Sequence, residues 1–397
     1  QLVVWRGPRF DRRVALPTPK TLSIGRVDGA SESTLKFVAG SSGCGKMYVA
    51  GTLSIRTGAT LIVDLTDYSL INGLQMDLVY YGAKSGDYVD PARPEELGAY
   101  LRQEGLMAEP EKLRSVGKAG EGNMNLTLRV VTSERSFVLK QARPWVEKYP
   151  QIPAPVDRAL VEIAFYEAAG AVPEVRRAMP HLLGSDPDSR LLILEDLGEA
   201  HDFTALYAGE SLPEAALDEL VAYLVALHGS PEVAAGSRRR VFENREMRAL
   251  NHEHIFRLPL DPDNGLDLDG FTPGLSTAGA RLQGDEEYIS TVTALGEEYL
   301  SDGDCLVHGD YFPGSWLATD SGVRVIDPEF CFLGPRAFDV GFMLGHLHLA
   351  GQPGETCAAL LSRYREAAGV ADEGFAAHAR RFGGVEIMRR LIGVAQL

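Results

Sequence analysis

The sequence predicts an α+β protein of two lobes, a β-rich small lobe over residues 89–198 and a helical large lobe over residues 199–397, preceded by a β-rich region over residues 1–88. Three observations lead there. The chain has 397 residues, enough for two sizeable cores. Short apolar or β-branched runs separated by Gly, Ser and Asp fill residues 1–88, and alternating strands return around a glycine-rich turn between residues 116 and 140. Over residues 212–228 the apolar spacing becomes helical, with Leu220, Leu224 and Leu227 as core positions and His228 as a structural residue.

The formal charge of -16 argues against nonspecific binding to nucleic acid or to an anionic membrane. No apolar run is long enough for a transmembrane helix and no basic-plus-apolar leader is present, so the expectation is a soluble cytoplasmic protein. Cys44, Cys305, Cys331 and Cys357 lack CxxC spacing and read as thiols in a reducing compartment.

In the first region, strands are expected at residues 2–5, 35–38, 47–50, 59–63 and 76–81. Residues 40–46 fit GxxxxGK, but Met47 follows where a phosphate-binding loop needs Ser or Thr, and strand follows where it needs a helix. A glycine-rich turn is therefore expected. Residues 85–94 mark the boundary, and an amphipathic helix is expected at residues 95–106.

In the small lobe, Gly120, Gly122 and Asn123 lie in a turn whose backbone amides could approach phosphate without Cβ obstruction. The strand over residues 136–140 ends in Lys140, placed to sit under that turn. The helical pattern over residues 155–169 offers Glu162, or Glu167, as the carboxylate that fixes the lysine. Residues 191–198 read as a strand entering a boundary loop, where backbone groups of Glu195 and Leu197 could meet an adenine edge.

Two acidic or histidine-rich stretches read as decoys. His252 and His254 are two apart, which does not put both on one helical face for zinc. Residues 261–270 are rich in oxygen ligands, yet Leu266 and Thr272 stand where a calcium loop needs glycine and glutamate.

The densest chemistry lies in residues 306–330. A strand ends in His308-Gly309-Asp310, and a hairpin turning at residues 320–322 returns to Asp327 and Glu329. Three carboxylates are thereby expected to converge, and like charges held close call for a cation or a proton between them.

The segments GEGNMNL, SFVLKQARPWV, LEDLG, HGDYFPGSW, IDPEF, GPRAFDVG and EIMRRLIGVAQ resemble those of protein-kinase-like small-molecule phosphotransferases of the aminoglycoside phosphotransferase superfamily, and more closely its methylthioribose kinase branch. The resemblance covers residues 94–397 and implies a protein-kinase-like two-lobed fold with an ATP cleft. It implies Asp310 as the group that orients the acceptor hydroxyl and takes its proton, Asp327 and Glu329 as ligands of Mg2+, and His308 and Asp339 as braces of the catalytic loop. Ser315 stands where the wider superfamily usually has asparagine, a departure shared with the methylthioribose kinase branch. Arg389 and Arg390 resemble arginines that meet the sugar or the transferred phosphate. Because adjacent helix residues point in different directions, one of the pair is expected to contact ligand while the other braces an acid. Residues 150–155 replace a tryptophan-containing loop typical of that branch. The implied function is phosphorylation of a small-molecule hydroxyl by ATP, with 5-methylthioribose as the leading acceptor and a homodimer as the implied assembly. An aminoglycoside or other sugar or alcohol kinase, and a catalytically weak nucleotide-binding protein of the same fold, stand as alternatives.

Overall fold

The computed structural model describes residues 94–397 apart from Glu121, Asn123, Ser237, Asp304, Ala395 and Leu397, together with Val89 and seven short strands within residues 1–93. The chain divides into two units, Gln1–Arg93 and Pro94–Leu397.

In the first unit, strands Ser33–Gly40 and Ala59–Asp64 pair in parallel, with Leu35 opposite Leu61. Gly40 pairs antiparallel with Gly43, and the next described element is the strand Tyr48–Thr52. Residues 45–47, between these two elements, lie outside the described residues. The expected strand at residues 2–5, and residues 76–79 of another, lie outside the described residues.

The second unit opens with helix α1 (Pro94–Gln103) and a five-stranded antiparallel sheet: β1 (Leu113–Lys118), β2 (Leu126–Thr132), β3 (Ser136–Gln141), β4 (Leu182–Asp186) and β5 (Leu191–Glu195). The strand order is β4-β5-β3-β2-β1, which puts β3 at the centre, with Lys140 between Thr127 and Leu192. Strand side chains alternate between faces. Phe137 and Leu139 therefore fill one side of β3, while Lys140 points to the other, towards helix α2 (Arg158–Ala169).

The helical part contains α3 (Glu214–His228), α4 (Arg245–His252), α5 (Leu275–Gln283), α6 (Glu286–Leu300), α7 (Ala337–Leu349), α8 (Gly354–Ala367) and α9 (Phe375–Ile392). Four short strands lie between α6 and α7: β6 (Cys305–Val307), β7 (Trp316–Thr319), β8 (Gly322–Val325) and β9 (Phe332–Gly334). β7 and β8 form the expected hairpin, with Trp316 opposite Val325. β6 pairs instead with β9. The segment carrying Asp310 is thus tied at both ends to the segment carrying Asp327 and Glu329.

Trp316, Tyr299, Tyr311, Phe338, Phe342 and Phe382 are fully buried under this platform. Each large side chain so buried contributes roughly 1.5–3 kcal/mol, which fixes the loop's foundation firmly. α7 and α9 cross closely because both carry glycine at the contact. A Cβ on Gly345 would lie 2.8 Å from the Gly383 carbonyl oxygen. That crossing brings His346 of α7 opposite Glu386 of α9.

Candidate active site

β6 delivers the chain into His308-Gly309-Asp310, and Asp339 holds the turn. This carboxylate is fully buried and accepts from the backbone N–H groups of His308 at 2.6 Å and Gly309 at 3.0 Å. His228 Nε2 donates to it as well, at 3.1 Å, leaving Nδ1 to accept from the Tyr364 hydroxyl at 2.8 Å. Gly309 has φ +85°, and a Cβ there would run into the carbonyl oxygen of Phe330. Only glycine fits this turn without displacing the helical turn Pro328–Phe330.

His308 is buried, and burial lowers its pKa, so the ring is neutral. Nε2 donates to the Ile326 carbonyl at 3.0 Å, while Nδ1 faces the Asp310 N–H at 3.4 Å. Both ring nitrogens are thus engaged by backbone groups, which ties the turn to the segment after β8.

Asp310 has a side chain only 23% exposed. Burial pushes its pKa up to about 6, against the pull of Arg389 and Arg390. A carboxylate in this range is largely ionised at neutral pH yet basic enough to take a proton from a bound hydroxyl. Arg389 Nη2 stands 3.9 Å from its Oδ1.

The two arginines converge more than the sequence expectation allowed. Arg389 donates through Nε and Nη2 to the two oxygens of Glu386, both at 2.7 Å, and Arg390 Nε donates to Oε1 at 2.8 Å. Spacings of three and four along α9 put both residues over Glu386, so both brace the same acid, and Arg389 also faces Asp310. Arg390 lies over the Phe312 ring at 4.9 Å. Arg389 and Arg390 more than offset the cost of burying Glu386, whose pKa is held far below the carboxylate range.

At the β3 side, Lys140 Nζ lies 2.8 Å from Glu162 Oε1 and 2.7 Å from Asp327 Oδ1. Burial disfavours the ammonium, but Asp327 and Glu162 outweigh it and raise its pKa. The Glu162 pKa is raised too, because burial outweighs the pull of Lys140. Glu167, the other carboxylate on α2, makes no such contact with Lys140 among the described residues. Asp327 has φ 62°, a left-handed conformation that Asp tolerates better than most residues and that turns its carboxylate towards Lys140.

Glu329 is buried and does not stand free beside Asp327. Its Oε2 accepts from Asn125 Nδ2 at 3.0 Å and meets Arg158 Nε at 3.1 Å. Arg158 also donates to Asn125 Oδ1 and to the carbonyls of Met124, Arg143 and Pro155. The sequence reading passed over Arg158 and Asn125. The available signal was that Arg158 stands four residues before Glu162, on the same face of α2. Glu386, His346 and Tyr207 were also missed, although EIMRR already placed a carboxylate one turn before the arginine pair.

Other expected residues are placed less tightly. Gly120 has φ +75° with open space where a Cβ would be, and Gly122 is loosely packed, while Asn123 lies outside the described residues. Glu195 turns its carboxylate to the His181 N–H at 3.1 Å, and Leu197 is half-buried in the following loop. Ser315 is buried, and its carbonyl accepts from Ile326 N at 3.0 Å.

The oxygen donors suit a hard divalent cation. Lys140 takes one oxygen of Asp327, and Asn125 with Arg158 takes one oxygen of Glu329. Among the described residues, the second oxygen of each carboxylate accepts no hydrogen bond. No group of three or more acidic, Cys or His side chains placed to hold one metal ion occurs among the described residues, so the expected convergence of Asp310, Asp327 and Glu329 on a single cation is not seen; Lys140 and Arg158 take up charge of Asp327 and Glu329 instead. No helix among them is long and apolar enough to cross a membrane.

Comparison with known proteins follows the same lines. A methylthioribose kinase of Exiguobacterium sibiricum is 29% identical over 314 residues, which is 70% of this chain and 79% of that protein. One of Cronobacter sakazakii is 30% identical over 275 residues, 65% of this chain and 66% of that protein. The chain thus spans about two thirds or somewhat more of the length of these relatives. A choline kinase from Cryptosporidium parvum superposes with a TM-score of 0.48 at 13% identity, covering 75% of this chain and 87% of that one. The family profile described as "Phosphotransferase enzyme family" matches residues 115–381, and the chain belongs to that family.

Proposed function

We propose that the chain is a small-molecule kinase that transfers the γ-phosphoryl group of ATP to a hydroxyl of 5-methylthioribose. The observation that carries the reaction type is the contrast between two aspartates on one short segment. Asp310 is largely buried with its pKa raised to about 6, while Asp327 is half exposed and paired with the buried Lys140. Such a division of labour suits proton removal at one end and phosphate binding at the other. The acceptor assignment rests on the methylthioribose kinase relatives and on Ser315.

In this reading the nucleotide phosphates lie between the turn containing Gly120 and Gly122 and the Lys140 ammonium, with the adenine edge at the backbone of Glu195 and Leu197. Glu162 fixes the lysine's direction while leaving a donor for phosphate. Asp327 and Glu329 would hold Mg2+, with Ser315 nearby; when bound, the ion neutralises charge on the phosphates. Asp310 accepts the proton of the acceptor hydroxyl as its oxygen bonds to the γ-phosphorus and the bond from that phosphorus to the ADP oxygen breaks. Asp339 and His308 keep the loop rigid, so the base meets the hydroxyl at a fixed place. Arg389 and Arg390 face the acceptor side and meet the sugar or the transferred phosphate. The buried thiols of Cys331 and Cys357 suit a reducing cytoplasm.

The test is a screen of ATP consumption over 5-methylthioribose, other furanoses, aminoglycosides and choline-like alcohols, with the product identified by mass. Phosphorylation of 5-methylthioribose above all other acceptors is expected. Preference for another alcohol would move the substrate assignment, and no product from a folded, ATP-binding chain would remove the kinase reading.

A further inference from the structure

Two carboxylates compete for one guanidinium group beside the acceptor site. Arg389 makes two bonds of 2.7 Å to Glu386 but stays 3.9 Å from Asp310. A guanidinium released from Glu386 would close on Asp310 as a bidentate pair, the preferred geometry of these groups. That pair would occupy the lone pairs with which Asp310 meets an acceptor hydroxyl.

Glu386 is well built to prevent this. It is fully buried, and its two oxygens accept from Arg389 twice, from Arg390, and from His346 Nε2 at 2.9 Å. Burial pushes the His346 pKa down to about 4, so the ring is neutral; with Nε2 donating to Glu386, Nδ1 accepts from the Tyr207 hydroxyl at 2.7 Å. Tyr207 lies on the turn Thr204–Ala208, in the connection between the sheet and α3. The restraint therefore runs from that connection through α7 to α9.

We infer that Glu386 is a positioning residue, held by His346 and Tyr207, which keeps Arg389 off Asp310 and aims both arginines at the acceptor. This rests on the kinase reading above for its catalytic consequence, though the contact itself is measurable without turnover.

The experiment compares the wild-type chain with Glu386→Gln and Tyr207→Phe. Glu386→Gln preserves shape and removes the charge that holds the arginines. Its kcat/KM for the acceptor should fall at least about 10-fold, about 1.4 kcal/mol, while the KM for ATP stays within about 2-fold. The groups facing Asp310 are Arg389, Arg390 and Glu386 from α9, Glu329 after β8, Tyr207 from its turn and Tyr299 from α6. Removing the Glu386 charge and letting Arg389 approach act in one direction. The Asp310 carboxyl, followed by 13C NMR, should titrate about 1 pH unit lower. Tyr207→Phe removes only the outermost bond and should give a smaller change of the same sign in a fully folded protein.

An unchanged Asp310 titration and an unchanged acceptor kcat/KM in folded Glu386→Gln would overturn the inference. If that variant does not fold, the same two null results in Tyr207→Phe would overturn it. Absence of product from the wild-type chain on every acceptor would strike the kinase reading instead, and the NMR titration would still decide the role of Glu386.

Discussion

Arg158 and Glu329 meet at 3.1 Å with both side chains shut off from water, and Asn125 bonds to both. The cluster joins the end of the glycine-rich turn, the start of α2 and the segment after β8. Removing one partner of a buried ion pair leaves the other charge uncompensated. Arg158→Met should lower the free energy of unfolding by about 3–5 kcal/mol, read from urea melts. Arg158→Lys should rescue only part of it, because an ammonium cannot reach the carbonyls of Met124, Arg143 and Pro155 together with Glu329. A loss below about 1 kcal/mol in Arg158→Met would show that the cluster contributes little.

Lys140 and Glu162 should respond unequally. Lys140→Met removes the donor between Glu162 and Asp327 and should lower kcat/KM for ATP on the order of 10²-fold. Glu162→Gln keeps a hydrogen-bond acceptor and leaves Asp327 as the ion partner, so its loss should be smaller. Equal losses in steady-state kinetics would mean that the two act as one unit.

The turn at Gly309 gives a steric prediction. Its φ is +85°, and an added Cβ would strike the Phe330 carbonyl. Gly309→Ala should cost on the order of 2–4 kcal/mol and reduce kcat more than the KM for ATP, since it displaces the loop carrying Asp310. Thermal melts with parallel kinetics check both parts. A wild-type melting temperature would contradict the close approach.

The buried charge of Asp310 should weaken the fold at neutral pH. Its pKa rises from 3.8 to about 6 through burial, so between those values the folded state binds more protons than the unfolded state. The contribution is fully present below about pH 4 and is lost as pH rises through about 6, amounting to at most about 3 kcal/mol at pH 7. Asp310→Asn should therefore be more stable than wild type by about 1–3 kcal/mol at pH 7.5 and no more stable at pH 4. Denaturant melts at both pH values test the sign. The same titration predicts that kcat/KM of the wild-type chain falls on the acid side of about pH 6.

Much of this was legible in the chain because it depends on local pattern. The alternation of Leu126, Leu128 and Val130, the apolar lead-in to His308 and the turn at Gly322 each follow from spacing and turn chemistry, and the strands and hairpin formed where expected. Asp339 could be singled out because it sits in GPRAFDVG, a recognisable segment. The residues that went unnoticed act over long separations. Arg158 meets Glu329 across the sequence, and His346 meets Glu386 only because glycines let α7 and α9 cross closely. Neither a buried arginine nor a buried histidine announces its partner in sequence. The expectation that Arg389 and Arg390 would diverge failed for a related reason. Long side chains on adjacent helix positions can bend to one acid when that acid lies three and four residues back.

The most direct measurement is the rate of phosphorylated product formation from ATP and 5-methylthioribose, at saturating concentrations of both, by wild type and Asp310→Asn. The account predicts one added phosphoryl group on the acceptor and a loss of at least about 10²-fold in the variant, with the fold intact. Near-wild-type turnover by Asp310→Asn would contradict it.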